Sequence, residues 1–277
     1  MRVDAHVHFW RYAPQDYPWI GADMAVLAAD HLPADLEPEL RRRGFAGAVA
    51  VQATHTVQET RWLLDLAARH GWVLGVVGWV DLCDPWLERT LAGWCREPRF
   101  VGVRHLVQDE ADPGFLGRSD VRRGIATLAR FDLSFDLLVR PHLLPAAAAL
   151  ARALPRQRFV LDHIAKPPIR TGALGPWRDG IRELARCGNV WCKLSGLVTE
   201  AEWRTWQAGQ MRACAEVVLE AFGPGRILFG SDWPVCRLAA AHGTVVDLAE
   251  DLLAGLTPAE RAAAFGGTAL QVYRLAR

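Results

Sequence analysis

Runs of four to eight largely apolar residues recur along this chain, and the segments between them place apolar residues at the three-to-four spacing of an amphipathic helix. Eight runs stand out, at 3–8 (VDAHVH), 47–52 (GAVAVQ), 73–80 (VLGVVGWV), 100–105 (FVGVRH), 134–139 (SFDLLV), 158–163 (RFVLDH), 189–195 (NVWCKLS) and 226–231 (RILFGS). They are apolar at nearly every position rather than at alternate ones, which predicts strands covered on both faces. The intervening segments carry helix signals. Thr56 to Glu59 reads as a capping box ahead of Trp62, Leu63, Leu66 and Ala67, with Gly71 as the stop. Asp84-Pro85 reads as an N-cap followed by proline at the first helical position, and Ser119 as the cap of a face formed by Val121, Ile125 and Leu128. Pro176 opens a helix that stops at Gly188, and Thr257 to Glu260 repeats the capping box.

Eight strand-helix units predict an α/β fold, a single-domain (β/α)8 TIM-like barrel over residues 1–277. A doubly wound open sheet would favour a glycine-rich turn after the first strand, and that turn here reads His-Phe-Trp-Arg-Tyr. The longest irregular stretch, 9–33, carries Trp10, Tyr12, Tyr17 and Trp19. A loop of that length in a compact domain is usually functional, so it is expected to wall or cover an active site.

Composition changes the picture mainly by exclusion. Hydrophobic residues make up 51% and charged residues 23% of 277, enough for a large core, and the net charge is +1. Basic residues are spread along the chain. The one run, Arg41-Arg42-Arg43, falls at a predicted helix end, where cations complement the dipole, so no nucleic-acid partner is expected. The six cysteines form no C-x-x-C pair and are expected to stay reduced. With no charged-then-apolar leader and no apolar stretch of membrane-spanning length, the expectation is a cytoplasmic protein without a membrane partner, with self-association left open.

The chemistry-bearing residues cluster after strands, at the barrel end where active sites are built. His6 and His8 alternate onto one face of the first strand, a spacing that suits two ligands of one ion. Later ends carry Gln52, Arg104, His105, Asp162, His163, Lys166, Lys193, Ser195, Ser231 and Asp232. Trp10, Trp79 and Trp233 stand beside strand ends, where they could pack on a sugar face. Trp62, Trp86 and Trp177 fall on helices and read as core, and His31, His55, His70, His142 and His242 as loop or surface residues.

Four segments in order, D-A-H-V-H at the start, L-D-H-I-A-K-P at 161–167, K-L-S-G-L at 193–197 and F-G-S-D-W-P at 229–234, resemble the amidohydrolase superfamily. More narrowly they resemble its branch of sugar-lactone hydrolases. The likeness runs on to G-G-T-A-L-Q-V-Y-R-L at 266–275. It implies hydrolysis of a sugar lactone of the L-fuconolactone type to the aldonic acid. It also implies metal ligands among His6, His8, His163 and Asp232, with Asp232 and His163 as catalytic groups. Trp10, Gln52, Arg104, His105, Lys166 and Trp233 are the expected substrate contacts. The bridging residue after strand 4 and the histidine after strand 5 that two-metal members carry are absent. One divalent, zinc-like ion or none is therefore expected. A zinc-dependent decarboxylase, a hydrolase of a carboxylated lactone, and a non-catalytic barrel that binds sugar acids are the competing readings.

Overall fold

The computed structural model describes residues 1–275. Its eight strands are β1 (Arg2–Val7), β2 (Phe45–Val51), β3 (Val73–Gly78), β4 (Phe100–His105), β5 (Ser134–Leu137), β6 (Phe159–Leu161), β7 (Val190–Leu194) and β8 (Ile227–Phe229). Each pairs in parallel with the next, in the order β1 to β8. The ring is nearly closed by a parallel bridge from Val7 to Trp233, where His8 N–H donates to Trp233 O (2.6 Å) and Asp232 N–H to His6 O (2.9 Å). All eight apolar runs are strands. The predicted runs at 158–163 and 226–231 overshoot β6 and β8, because their last residues leave the ladder to turn into the site.

The helices are α1 (Pro33–Arg42), α2 (Val57–Arg69), α3 (Leu87–Trp94), α4 (Ser119–Leu128), α5 (Leu144–Ala153), α6 (Gly175–Ala185), α7 (Ala208–Phe222), α8 (His242–Leu252), α9 (Pro258–Ala262) and α10 (Thr268–Val272). Among the described residues no helix is long and apolar enough to cross a membrane. Helices and outward strand residues form one large core. A second, smaller core fills the barrel interior, where Val3, Val49, Val77, Val160 and Leu228 meet Val272 and Tyr273 of the C-terminal segment.

Several capping expectations are corrected by local geometry. At α2, Thr56 does accept from Glu59 N–H, but the Glu59 carboxylate does not return to Thr56. It accepts from Ala53 N–H (2.9 Å), Thr54 N–H (2.8 Å) and Thr54 Oγ1 (2.9 Å), fixing the loop after β2. Asp84 caps a preliminary turn through Trp86 N–H (2.8 Å), so the regular helix begins only at Leu87. Ser119 already lies inside α4, where Arg118 occupies the cap position. The capping box at Thr257 is complete. Trp177 is buried, but Trp86 is 72% exposed rather than core. His31 and His242 are buried rather than surface residues, His242 Nε2 lying 3.2 Å from Asp4 Oδ2.

The C-terminal segment closes the barrel end opposite the loops. A π-helical turn, Ala263–Gly267, lies so tightly on β1 that a Cβ at Gly266 would stand 2.1 Å from the Met1 carbonyl oxygen. Backbone cannot yield as a flexible side chain does. Gly266→Ala should therefore destabilise the protein by about 1–3 kcal/mol, read as a lower urea midpoint; an unchanged midpoint would show that the contact is slack.

Candidate active site

The ends of β1, β6, β7 and β8 deliver their polar residues to one buried cluster. His6 Nε2 lies 3.1 Å from His8 Nε2 and 3.7 Å from Asp232 Oδ1, while His8 Nε2 and His163 Nε2 lie 3.4 and 3.9 Å from the same oxygen. The backbone bends to achieve this. Asp232 has φ 60°, and His163, Ile164, Ala165 and Lys166 all have φ between 46° and 60°. Four consecutive left-handed residues without a glycine are costly, roughly 1–2 kcal/mol each. Tertiary contacts hold the turn. Trp177 Nε1 donates to Ile164 O (2.7 Å), and Lys166 N–H to His163 O (2.8 Å). Gly196 (φ 64°) lies against His163, and a Cβ there would meet the ring at 2.7 Å.

The cluster suits a metal ion. His8 Nδ1 pairs with Val51 O (2.8 Å), so its N–H is used there and the Nε2 lone pair faces Asp232. His163 turns Nδ1 to Ser195 Oγ (2.9 Å) and Nε2 inward. Ligand atoms of His6, His8 and Asp232 all lie within 4.8 Å of one another. Neutral imidazoles around a carboxylate are a donor set that a divalent ion of the zinc class would fit, with Arg104 Nη1 3.3 Å from His6 Nε2 at its edge. Protonation states agree. Burial holds His6 and His8 below the usual histidine range and His163 down to about 4. Burial alone would raise Asp232, but His163, His8 and His6 outweigh it and keep the carboxyl below its usual range.

Beneath the cluster lies a buried charge network. Lys193 Nζ donates to Asp136 Oδ2 (2.6 Å) and lies 3.0 Å from His6 Nδ1 and 2.9 Å from Asp162 Oδ1, which itself stands 3.4 Å from His6 Nδ1. Arg104 donates to Asp162 Oδ2 (3.0 Å) and to the Gln52 carbonyl oxygen. Tyr273 OH donates to Asp136 Oδ2 (2.6 Å), tying the C-terminal segment to the network. Burial would raise Asp162, but Lys193, His6 and Arg104 hold it well below the carboxylate range.

Above the cluster opens a cavity of about 340 Å³. Of the residues expected from sequence, His8, Trp10, Arg104, His163, Lys166 and Asp232 line it, and His6 lies just below. Three expected substrate contacts are not among the lining residues. Gln52 is fully buried and spends both amide ends on Arg104 (3.2 Å each). His105 is held by Glu110 (2.6 Å) and Trp79 (3.2 Å) between the rings of His55 and Phe115. Trp233 packs on Phe9 and His31. Trp19 and Met24, on the 9–33 stretch expected to wall the site, also line it, whereas the sequence reading missed Gln108, Asp109, Glu200 and Trp203. They stand on irregular loops past the strand ends, where no periodic pattern marks them. Larger clefts of 480 Å³, beside the start of β2, and 750 Å³, between α2 and α3, contain none of the polar strand-end residues.

Histidines on β1 and after β6 and an aspartate after β8 thus converge at the loop end of a parallel barrel. The amidohydrolase family model matches residues 3–275, and the chain belongs to this family. Within it, the chain is 44% identical to an L-fucono-1,5-lactonase of Burkholderia multivorans, covering 99% of this chain and 96% of that protein. It is 41% identical to an L-fucono-1,5-lactonase of Burkholderia ambifaria, covering 100% and 96%. A crystal structure of an amidohydrolase from Burkholderia multivorans with bound zinc superposes with a TM-score of 0.97 at 44% identity, covering all of both chains.

The charge network generates a stability test. Lys193→Met leaves Asp136 and Asp162 short of a buried counter-charge and should cost about 3–5 kcal/mol. Adding Asp136→Asn should recover part of the loss in urea unfolding. A single variant as stable as the wild type would mean that Lys193 does not hold the network together.

Proposed function

We propose that the protein hydrolyses a sugar lactone, of the L-fucono-1,5-lactone type, to the aldonic acid. The observation that carries this reading is the convergence of His6, His8 and His163 on Asp232 at the floor of the strand-end cavity, in a chain alike over its full length to two such lactonases. His6, His8, His163 and Asp232 would hold one divalent ion, which when bound polarises the ester carbonyl or water. The six cysteines are free, which accords with the reducing cytoplasm we assign to the enzyme. The 9–33 segment, through Trp10, Trp19 and Met24, serves as the cavity wall.

Asp232 is the base. Ionised throughout the neutral range, it accepts a proton from the attacking water as oxygen adds to the lactone carbonyl, and it returns that proton to the ring oxygen when the C–O bond breaks. The leaving alkoxide stays tethered, so orientation matters more than leaving-group capture. Arg104 lines the cavity and serves as a donor toward the developing oxyanion. Lys166 forms an ion pair with Glu200 (3.0 Å), and the two together present donor and acceptor to substrate hydroxyls.

Wall charge weighs against the carboxylated-lactone and decarboxylase readings. Arg104 and Lys166 are already paired with Asp162 and Glu200, which leaves Arg140 as the cavity cation without an ion pair among the described residues. A proton acceptor held ionised in the floor has no use in a mere sugar-acid binder.

Acid release from a panel of sugar lactones, with and without chelator, tests the reading directly; no release from any lactone would overturn it. Asp232→Asn should lower kcat by about 10²–10⁴-fold with KM little changed. Near-normal turnover in that variant alongside an inactive His163→Asn would transfer the base role to His163. With Asp232 ionised and His163 neutral above about 4, kcat/KM should be level through neutral pH and fall only as the pH drops toward that value. Elemental analysis should give at most one metal equivalent per chain, and two in active enzyme would refute the single-ion assignment.

A further inference from the structure

Four aromatic rings stack behind the cavity wall, where the chain leaves β2, β3 and β4. His55 lies face to face with His105, their ring centroids 4.1 Å apart, and His105 in turn with Phe115 at 4.6 Å. Trp79 stacks on His55 at 5.6 Å. None of the four is among the residues lining the cavity. Apolar packing alone would be served by phenylalanine, which has no polar edge to satisfy, so the two histidines need a further reason.

Their ring nitrogens supply it. Leu106 N–H donates to His55 Nε2 (2.8 Å). A backbone amide can only donate, so His55 carries its own proton on Nδ1 and offers Nε2 as a lone pair. Burial and the neighbouring His105 keep it in that neutral form, lowering its pKa to about 4. Trp79 Nε1 likewise donates to His105 Nδ1 (3.2 Å), which leaves the His105 proton on Nε2, donated to Glu110 Oε1 (2.6 Å). The chain between these anchors, 106–110, is a tight turn. Asp109 N–H donates to Leu106 O (3.1 Å), Glu110 N–H to Val107 O (3.2 Å), and Gln108 N–H to Leu138 O beyond β5 (3.0 Å). Leu106, Gln108 and Asp109 line the cavity from this turn, and Gln108 Nε2 donates to Asp109 Oδ2 (3.2 Å). His55 holds the first amide of the turn and Glu110 ties its last residue back to His105, so the place of the Gln108–Asp109 pair follows from contacts made behind the wall.

We propose that His55, His105 and Glu110 are positioning residues: outside the cavity themselves, they set the 106–110 turn so that the Gln108 and Asp109 side chains meet the hydroxyls of a bound lactone. This rests on the lactonase reading and adds how one wall of the site is held in place. Substrate affinity rather than chemistry depends on the three, because the catalytic groups are fixed by other contacts: His163 by Ser195 Oγ (2.9 Å) and Asp232 by its backbone bond to His6 O (2.9 Å).

The test separates KM from kcat in the hydrolysis of L-fucono-1,5-lactone. His55→Phe keeps a ring in the stack but removes the acceptor, and it should raise KM about tenfold while kcat stays within about twofold, the pattern of lost binding. His55→Gln returns an acceptor oxygen to Leu106 N–H and should bring KM back to within about twofold of the wild type. Glu110→Ala cuts the other anchor and should repeat the rise in KM; it decides the matter if circular dichroism shows that His55→Phe does not fold. In a Gln108→Ala/Asp109→Ala background, His55→Phe should change KM by less than about twofold, because the side chains it positions are gone. An unchanged KM in the folded anchor variants would overturn the proposal, as would a fall in kcat as large as the rise in KM. So would His55→Gln performing no better than His55→Phe, or the full His55→Phe effect persisting in the double-alanine background. Failure of the wild type to hydrolyse the lactone would instead strike the lactonase reading itself.

Discussion

The site depends on one buried ammonium group. Lys193 sits where β7 enters the barrel interior and binds two carboxylates and a histidine ring nitrogen, each from a different strand. Removing a charge from water costs several kcal/mol even after relaxation. The cost is tolerable here because Asp136 and Asp162 balance Lys193 and Arg104 within one dry network. Its consequence is geometric: His6 cannot swing without breaking the Lys193 contact, and Asp162 cannot shift without releasing Arg104 from the cavity wall. The floor is thus set from below by ion pairs.

Above that network the backbone itself is held in an unfavourable form. The left-handed turn at 163–166 and the left-handed Asp232 aim His163 and the carboxylate at the same point, and Gly196 leaves the space that the imidazole occupies. Strain of this kind persists only where packing over-determines it. The buried indole of Trp177, on α6, supplies that support through its hydrogen bond to Ile164. A helix on the outside of the barrel therefore fixes a histidine on the inside.

The eight strands were legible because a strand buried on both faces must be apolar at every position, and that pattern survives without knowledge of neighbours. The polar strand-end residues stood out for the same reason, since His6, His8 and His163 interrupt apolar runs and Asp232 directly follows one. What escaped the sequence was mostly contact between distant segments. Nothing local to Glu59 tells that its carboxylate belongs to the Ala53–Thr54 loop, or that Gln52 and His105 spend their polar atoms on Arg104, Trp79 and Glu110. Trp86 failed differently. Its position next to a helix start says nothing about which face it takes, and it faces solvent. The cavity wall contributed by Glu200 and Trp203 lies in irregular chain, where residue spacing carries no signal.

The seam joins the first strand to the last, with Asp232 bonded to the backbone of His6 and Trp233 to that of His8. During synthesis, His6 and His8 leave the ribosome first, and roughly 220 further residues must follow before Asp232 appears, a delay of roughly ten to forty seconds at ordinary elongation rates. Through that interval the growing chain carries a histidine pair without its carboxylate, and a ring that cannot shut. The cluster is complete only once the last strand has docked against the first.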